Sequence, residues 1–342
     1  MKRILLTMVA VLMFVGQASA TTYYGDNYRR TNDYNQGGYG YGQEARYNRS
    51  YEDRYNQSYD NRSYDSDRKQ TKNYLDNVKP NFEGKGIDYE GGYVYAVGTG
   101  RMDYGGIPGM EDLAREAAIV DAQRNLVGAV NGAQIDSDTT VEMKKLVNDT
   151  IHRKISGIVK NAIIIDEGTA KNGSYYVKMV APLYGVNSVA AIAFDEPYHR
   201  PEPVPQPQYN ILPREEYQHY ETQNYTGLII DCQGCDLDPC MSPVIYRANG
   251  EAIYGYKNID SQFAINKGMV GYAHGHAESM YNENIKARVG AFPLVIRAID
   301  ATGGRNSVNR VNPVVSDEDA DRILAANHRS HFLDNCAVVF VR

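Results

Sequence analysis

Apolar positions along this chain fall into blocks of different period. Between Glu111 and Gly132, Ala114, Ala118, Ala122 and Leu126 recur every fourth residue, with Leu113, Ala117, Val120, Val127 and Val130 beside them. That spacing predicts a helix with one broad apolar side, whose alanines let its backbone lie close against a sheet. Glu111, Arg115, Glu116, Asp121 and Arg124 are expected to face water. Gly105, Gly106, Pro108 and Gly109 stop the helix from extending backwards, and Asn131-Gly132 terminates it.

The same reading assigns the elements around it. Tyr93 to Val97 alternates as a strand that Gly98-Thr99-Gly100 ends. A second helix is expected from Val141 to about Ile158, after the Asp136 to Thr140 turn. Ala162–Asp166 and Ser174–Ala181 then form a hairpin turned at Asn172-Gly173. Further on, Thr226–Cys232, Ser242–Tyr246, Ala252–Tyr256, Phe292–Ile299 and Cys336–Arg342 read as strands. Ala264 to Val289 holds a helix, and Ser316 opens another with Asp319 three residues on, close to a capping box. The predicted class is α+β: two small domains, each with helices on one face of a mainly antiparallel sheet.

Composition separates these blocks from their flanks. Met1 to Ala20 has Lys2 and Arg3, an apolar core from Ile4 to Val15 and a small-residue site at Ala18-Ser19-Ala20, as a cleaved signal peptide does. No later run of apolar residues is long enough to span a bilayer. Residues 21–79 are Tyr, Asn, Arg, Asp, Ser and Gly with almost no aliphatic side chain, and an octapeptide nearly repeats from Arg46 to Tyr64. Such a segment buries too little apolar area to offset its chain entropy, so a disordered arm is expected, either a solvated spacer or an adhesive segment for sugar rings or peptidoglycan. Residues 80–195 form the first domain. Residues 196–223, with alternating prolines from Pro201 to Pro207, form a linker in extended polyproline conformation. Residues 224–342 form the second domain.

A net charge of -6 argues against a nucleic-acid partner. The strand Tyr93–Gly100, the Ala-Arg-Glu-Ala-Ala helix reaching Ala122-Gln123-Arg124-Asn125-Leu126, and Val130-Asn131-Gly132 before Asp136–Thr140 together resemble the Lpp-twenty outer-membrane lipoprotein family. The N-terminal domain of flagellar assembly protein T is similar. The resemblance covers about Asn81 to Phe194. It implies an envelope protein without catalytic residues or cofactor, whose partners are outer-membrane or flagellar components. The chain departs from the lipoprotein pattern in having no cysteine after the expected cleavage site, so membrane contact would be indirect.

The four cysteines, Cys232, Cys235, Cys240 and Cys336, leave three readings open. Export favours disulfides, with Cys232 meeting Cys336 if their strands are neighbours and Cys235 closing on Cys240. Free thiols and a zinc site are the others. His274-Gly275-His276 is the close histidine pair, without a carboxylate in metalloprotease register. Gly98-Thr99-Gly100 followed by Gly105-Gly106 outlines a phosphate loop but lacks Rossmann spacing and a Walker lysine, so a turn role is expected. The function expected is a non-enzymatic, exported structural or docking protein of the periplasm or outer membrane. It binds envelope proteins or peptidoglycan, and a homo-oligomer is compatible. The alternative is a periplasmic hydrolase or metal-dependent enzyme sited around Cys232 to Cys240 and His274 to His276.

Overall fold

In the computed structural model, residues 74–101, 109–146, 149–196, 199–275, 283–304 and 307–342 are described. The signal-peptide reading and the arm up to residue 73 lie outside them. The fold is α+β, with three four-stranded sheets among the described residues.

The first lobe is built on an antiparallel sheet in the order β1-β2-β4-β3, formed by β1 (Lys85–Asp88), β2 (Tyr93–Gly100), β3 (Ile163–Thr169) and β4 (Tyr175–Pro182). At the β1–β2 turn, Gly91 N–H donates to Asp88 Oδ1 at 2.8 Å. The β3–β4 turn is closed by Asn172, whose Oδ1 accepts from Ser174 N–H at 3.1 Å. Helix α1 (Met110–Asn131) lies across this sheet. Ala114, Ala118, Ala122 and Leu126 are buried against it.

Gly98 and Gly100 lie within the strand, Gly100 as its last residue. Both pair with β4, opposite Val177 and Tyr175. A methyl built on Gly98 would stand 2.6 Å from Ala122 Cα, and one on Gly100 would stand 2.8 Å from Ala114 C. The two glycines therefore exist so that a helix backbone can rest directly on a strand. That accounts for them structurally, in place of a turn or a phosphate loop.

The outward side of α1 also differs from the expectation. Leu113 is 61% exposed and Val120 56% exposed, with Ala117 exposed between them. Arg115, expected in water, pairs with Glu167 of β3 at 2.8 Å, and Asp121 accepts from Thr99 N–H at 3.0 Å. The helix expected from Val141 is two: α2 (Val141–Leu146) and α3 (Asp149–Lys160). A short α4 (Ala190–Ala193) closes the lobe. The sheet face away from α1 is covered by residues from Tyr74 onwards, where Tyr74 packs with Tyr93 and Val180. The folded part thus begins ahead of the expected arm boundary at 79.

Past the lobe, the proline-rich segment follows the second lobe's surface. Glu202 N–H donates to Lys257 O at 2.7 Å, and Val204 and Leu212 are buried. Helix α5 (Arg214–Thr222) follows. Gln208 N–H and the Tyr217 hydroxyl donate to Asp321, at 3.2 and 2.5 Å, and Arg247 Nη2 donates to the same carboxylate at 2.6 Å. Arg247 and Asp321 are wholly buried, so this pair pins linker and helix to the lobe.

The second lobe carries two sheets. The first, in the order β8-β12-β5-β9, contains β5 (Gly227–Asp231), β8 (Gly271–Ala273), β9 (Pro293–Arg297) and β12 (Val338–Val341), and every pairing in it is parallel. The second, β10-β11-β6-β7, is mixed, from β6 (Ile245–Arg247), β7 (Ala252–Tyr254), β10 (Asp300–Thr302) and β11 (Asn312–Val315). The mainly antiparallel expectation therefore describes the first lobe, while the second adds a parallel layer. Of its helices, α6 is Ser261–Lys267, α7 is Glu283–Val289 and α8 is Asp317–Ser330. Ile285 and Val289 of α7 pack on Ile229, Val339 and Val341. Ser316 caps α8 as expected, its Oγ accepting from Asp319 N–H at 3.0 Å.

The lobes share one core. Leu126, Ile155 and Phe194 belong to the same buried cluster as Ile230, Leu324 and Phe340. Main-chain bonds cross the seam, from Met241 N–H to Gln134 O at 3.0 Å and from Ser242 N–H to Ile135 O at 2.7 Å.

Candidate binding cleft

Where the lobes meet, the β1–β2 turn faces β8, α7 and the start of β12. A cleft of about 550 Å³ opens there, within the range of roughly 300–1,000 Å³ common for small-molecule sites. Tyr74, Tyr89 and Tyr184 of the first lobe and Tyr272 of the second lie on its walls, with Asp76, Glu90, Lys267 and Arg288. A neighbouring hollow of about 420 Å³ shares Tyr89, Glu90 and Tyr272 and adds Tyr93, Tyr95 and His274.

The tyrosines are held by packing. The Tyr89 and Tyr272 rings meet edge to face at 5.7 Å, and Tyr272 meets Phe340 at 5.9 Å. The Tyr184 ring fills the space a side chain on Gly268 would need, at 2.7 Å from its Cζ, and Gly268 has φ 73°. Only glycine serves there, on both counts. Burial pushes the Tyr184 phenol up to about 12 and raises Tyr89 and Tyr272 well above the ordinary tyrosine value. These hydroxyls stay neutral at ordinary pH and act as hydrogen-bonding groups.

Arg288 is a staple. Its Nη1 and Nη2 donate to Lys267 O and Gly268 O at 2.7 and 2.6 Å, at the end of α6, and its Nε donates to Val338 O at 3.0 Å. A cation at a helix C-terminus is favourable there. By contrast the side-chain amides of Asn77, Asn266 and Asn284 line the cleft without an intramolecular hydrogen bond among the described residues. They are the groups free to meet a ligand. Two acidic and two basic side chains on the walls balance in charge, so the cleft suits a polar ligand of low net charge.

The residues singled out from sequence do not gather in it. Cys336 lines the cleft, whereas Cys232, at the end of β5, Cys235 and Cys240 do not. All four are free thiols. The Cys232–Cys336 pairing fails on register: β5 and β12 run parallel, Leu228 opposite Val338 and Asp231 opposite Val341. Cys232 follows one strand and Cys336 precedes the other, so they sit at opposite ends of the sheet, roughly 20 Å apart at ~3.3 Å per residue. Cys240 is bonded through its backbone to the Tyr272 hydroxyl at 3.0 Å, and Cys235 Sγ points to Ala298 O at 3.8 Å. Burial raises all four thiols, which favours the protonated and unreactive form.

His274 is exposed, its Nδ1 3.4 Å from Glu90 Oε2. His276 lies outside the described residues. Among the described residues no three His, Cys, Asp or Glu side chains converge as metal ligands. The cleft residues were missed because they come from separate segments, and tyrosine in this chain draws attention to the arm.

Residues 227–342, from β5 to β12, match the family model described as the second domain of Treponema pallidum Tp0624. This is about a third of the chain, and it coincides with the parallel and mixed sheets of the second lobe. No curated protein matches the chain.

Proposed function

We propose that this chain is an exported, non-enzymatic protein of the bacterial cell envelope, a docking or assembly module associated with the outer membrane or the flagellum. The observation that carries the reading is the cleft between the lobes, where unpaired amides and neutral tyrosines are presented on packed walls. Such a lining suits holding a polar ligand in place.

Three features support the setting. The N-terminus has the charged, apolar and small-residue order of an export signal. The first lobe has the alanine-faced helix sealed on a sheet by which it resembles the Lpp-twenty family. No helix among the described residues is long and apolar enough to cross a membrane, which fits contact with the envelope through partners. The partners are envelope proteins or peptidoglycan.

The test uses the full chain and a variant with the cleft blocked, Asn284→Arg, at an exposed position on α7. The wild type is expected to co-sediment with isolated peptidoglycan, or to be cross-linked in cells to an outer-membrane or flagellar basal component, and the variant to lose that contact while keeping its thermal transition. Equal capture by both proteins, or capture by neither, contradicts the cleft as the docking site.

A further inference from the structure

Helix α1 carries apolar residues on both of its sides. Its inner face is spent on the sheet, where Ala114, Ala118 and Ala122 are buried. On the opposite side Leu113 and Val120 stand 61% and 56% exposed, with Ala117 exposed between them and Val127 half-buried one turn beyond Arg124. At 100° per residue, positions 113, 117, 120, 124 and 127 fall on one stripe. Apolar side chains on a helix are ordinarily covered by a neighbouring element. Here one side is open, over a shallow groove bounded by Thr99, Glu116, Asp121 and Arg124.

The charges beside the stripe say what covers it. Glu116 is exposed and has no ion-pair partner among the described residues, while Arg124 is 76% exposed and only loosely paired with Asp121, at 3.7 Å. They lie four residues before and four residues after Val120. When a second copy of the helix is laid antiparallel on the first, about a two-fold axis through Val120, Glu116 of each copy comes opposite Arg124 of the other. Leu113 comes opposite Val127, and Ala117 lets the axes approach. An antiparallel pair is isologous, so one patch serves both copies and closes on itself. Self-complementarity of this kind is not needed for a solvated face.

We propose that this chain pairs with a second copy of itself through the outer stripe of α1, antiparallel and centred on Val120. The surface lies on the first lobe and shares no residue with the cleft between the lobes, so the inference stands apart from the envelope reading. The patch is a few turns long and smaller than the roughly 1,600 Å² of a standard interface, so the pair is weak in dilute solution and forms where the protein is concentrated.

Sedimentation velocity of the full chain over a wide concentration range tests this. The wild type is expected to move from monomer towards dimer as concentration rises. Glu116→Arg alone, and Arg124→Glu alone, place like charges opposite each other twice and are expected to weaken association about tenfold each. The double variant Glu116→Arg with Arg124→Glu restores opposite charges across the axis and is expected to recover most of the wild-type association. All three changes are at the surface, and an unchanged thermal transition shows that each variant folds. As a second readout, Val120→Cys is expected to give a disulfide-linked dimer under mild oxidation, in excess of any formed by the parent chain. A wild type monomeric throughout, a double variant no better than the single ones, or no added cross-link at position 120 overturns the proposal.

Discussion

Substituting Gly98 by alanine adds one methyl group in the middle of β2 and tests the packing on which the first lobe depends. The new Cβ would lie 2.6 Å from Ala122 Cα, and nearer still to Ala122 N and Ala118 O. Ordinary contact between such atoms is about 3.5 Å, so α1 must retreat by roughly 1 Å or more. No side-chain rotation relieves the overlap, because the atoms in the way are main chain. Overpacking of this kind costs about 1–3 kcal/mol, and retreat of α1 also loosens Ala118, Ala122 and Leu126, all wholly buried. Against this, alanine in place of glycine within a regular element returns roughly 0.5–1 kcal/mol. The net expectation is a loss of about 1–2 kcal/mol, with Gly98→Val worse. Urea unfolding followed by circular dichroism measures it as a lower midpoint with an unchanged slope. Gly157→Ala in α3 is the control, since nothing lies within 4 Å of a methyl built there, and it should stabilise by up to ~1 kcal/mol. If Gly98→Ala is as stable as the wild type, the account of the strand glycines fails.

Two further outcomes follow from buried polar groups. Asp321→Asn keeps the shape of the side chain but removes the buried one of the two carboxylates that face the wholly buried Arg247. A loss of about 3–5 kcal/mol is expected, while Glu251→Gln, at the half-exposed partner of Arg247, should change stability by less than ~1 kcal/mol; equal effects in a denaturation series would contradict the role given to Asp321. The Tyr74 and Tyr184 phenols are raised by burial from 10 to about 12. The unfolded chain gives up these protons near pH 10 and the folded chain near 12, so stability is unaffected below pH 10 and falls as pH rises from there through about 12. Phenolate absorbance read beside the urea midpoint should show the decline, and a midpoint constant to pH 12 would refute it.

Several elements of both lobes were legible. The four-residue recurrence of alanine located α1, the Asn172-Gly173 pair located the β3–β4 turn, and Ser316 with Asp319 located the start of α8. The glycines of β2 were misread because glycine marks a turn far more often than a close backbone approach, and the partner atoms of that approach lie in another element. The outer stripe of α1 was misread for a related reason. A helix with apolar residues on two sides does not say which side the sheet takes, and the sheet took the alanines, leaving Leu113 and Val120 outside.

The parallel sheet left a trace that pattern reading passed over. Residues 227–230 and Val338–Val341 are unbroken runs without a polar side chain, buried on both faces, as strands of a parallel sheet are. Reading them simply as strands left direction unassigned, and direction decides whether Cys232 and Cys336 meet. Little of the cleft was legible. Its walls join residues from Tyr74 to Val339, brought together by the seam between lobes, and nothing local in the chain marks them as neighbours.

Export to the envelope bears most directly on the proposed function. Cells producing the chain with a C-terminal tag are separated into cytosol, periplasm, inner membrane and outer membrane, and the tagged band is sized and N-terminally sequenced. The account predicts a chain shortened at Ala20, recovered from the periplasm or from an outer-membrane complex. Full-length protein recovered from the cytosol would contradict it.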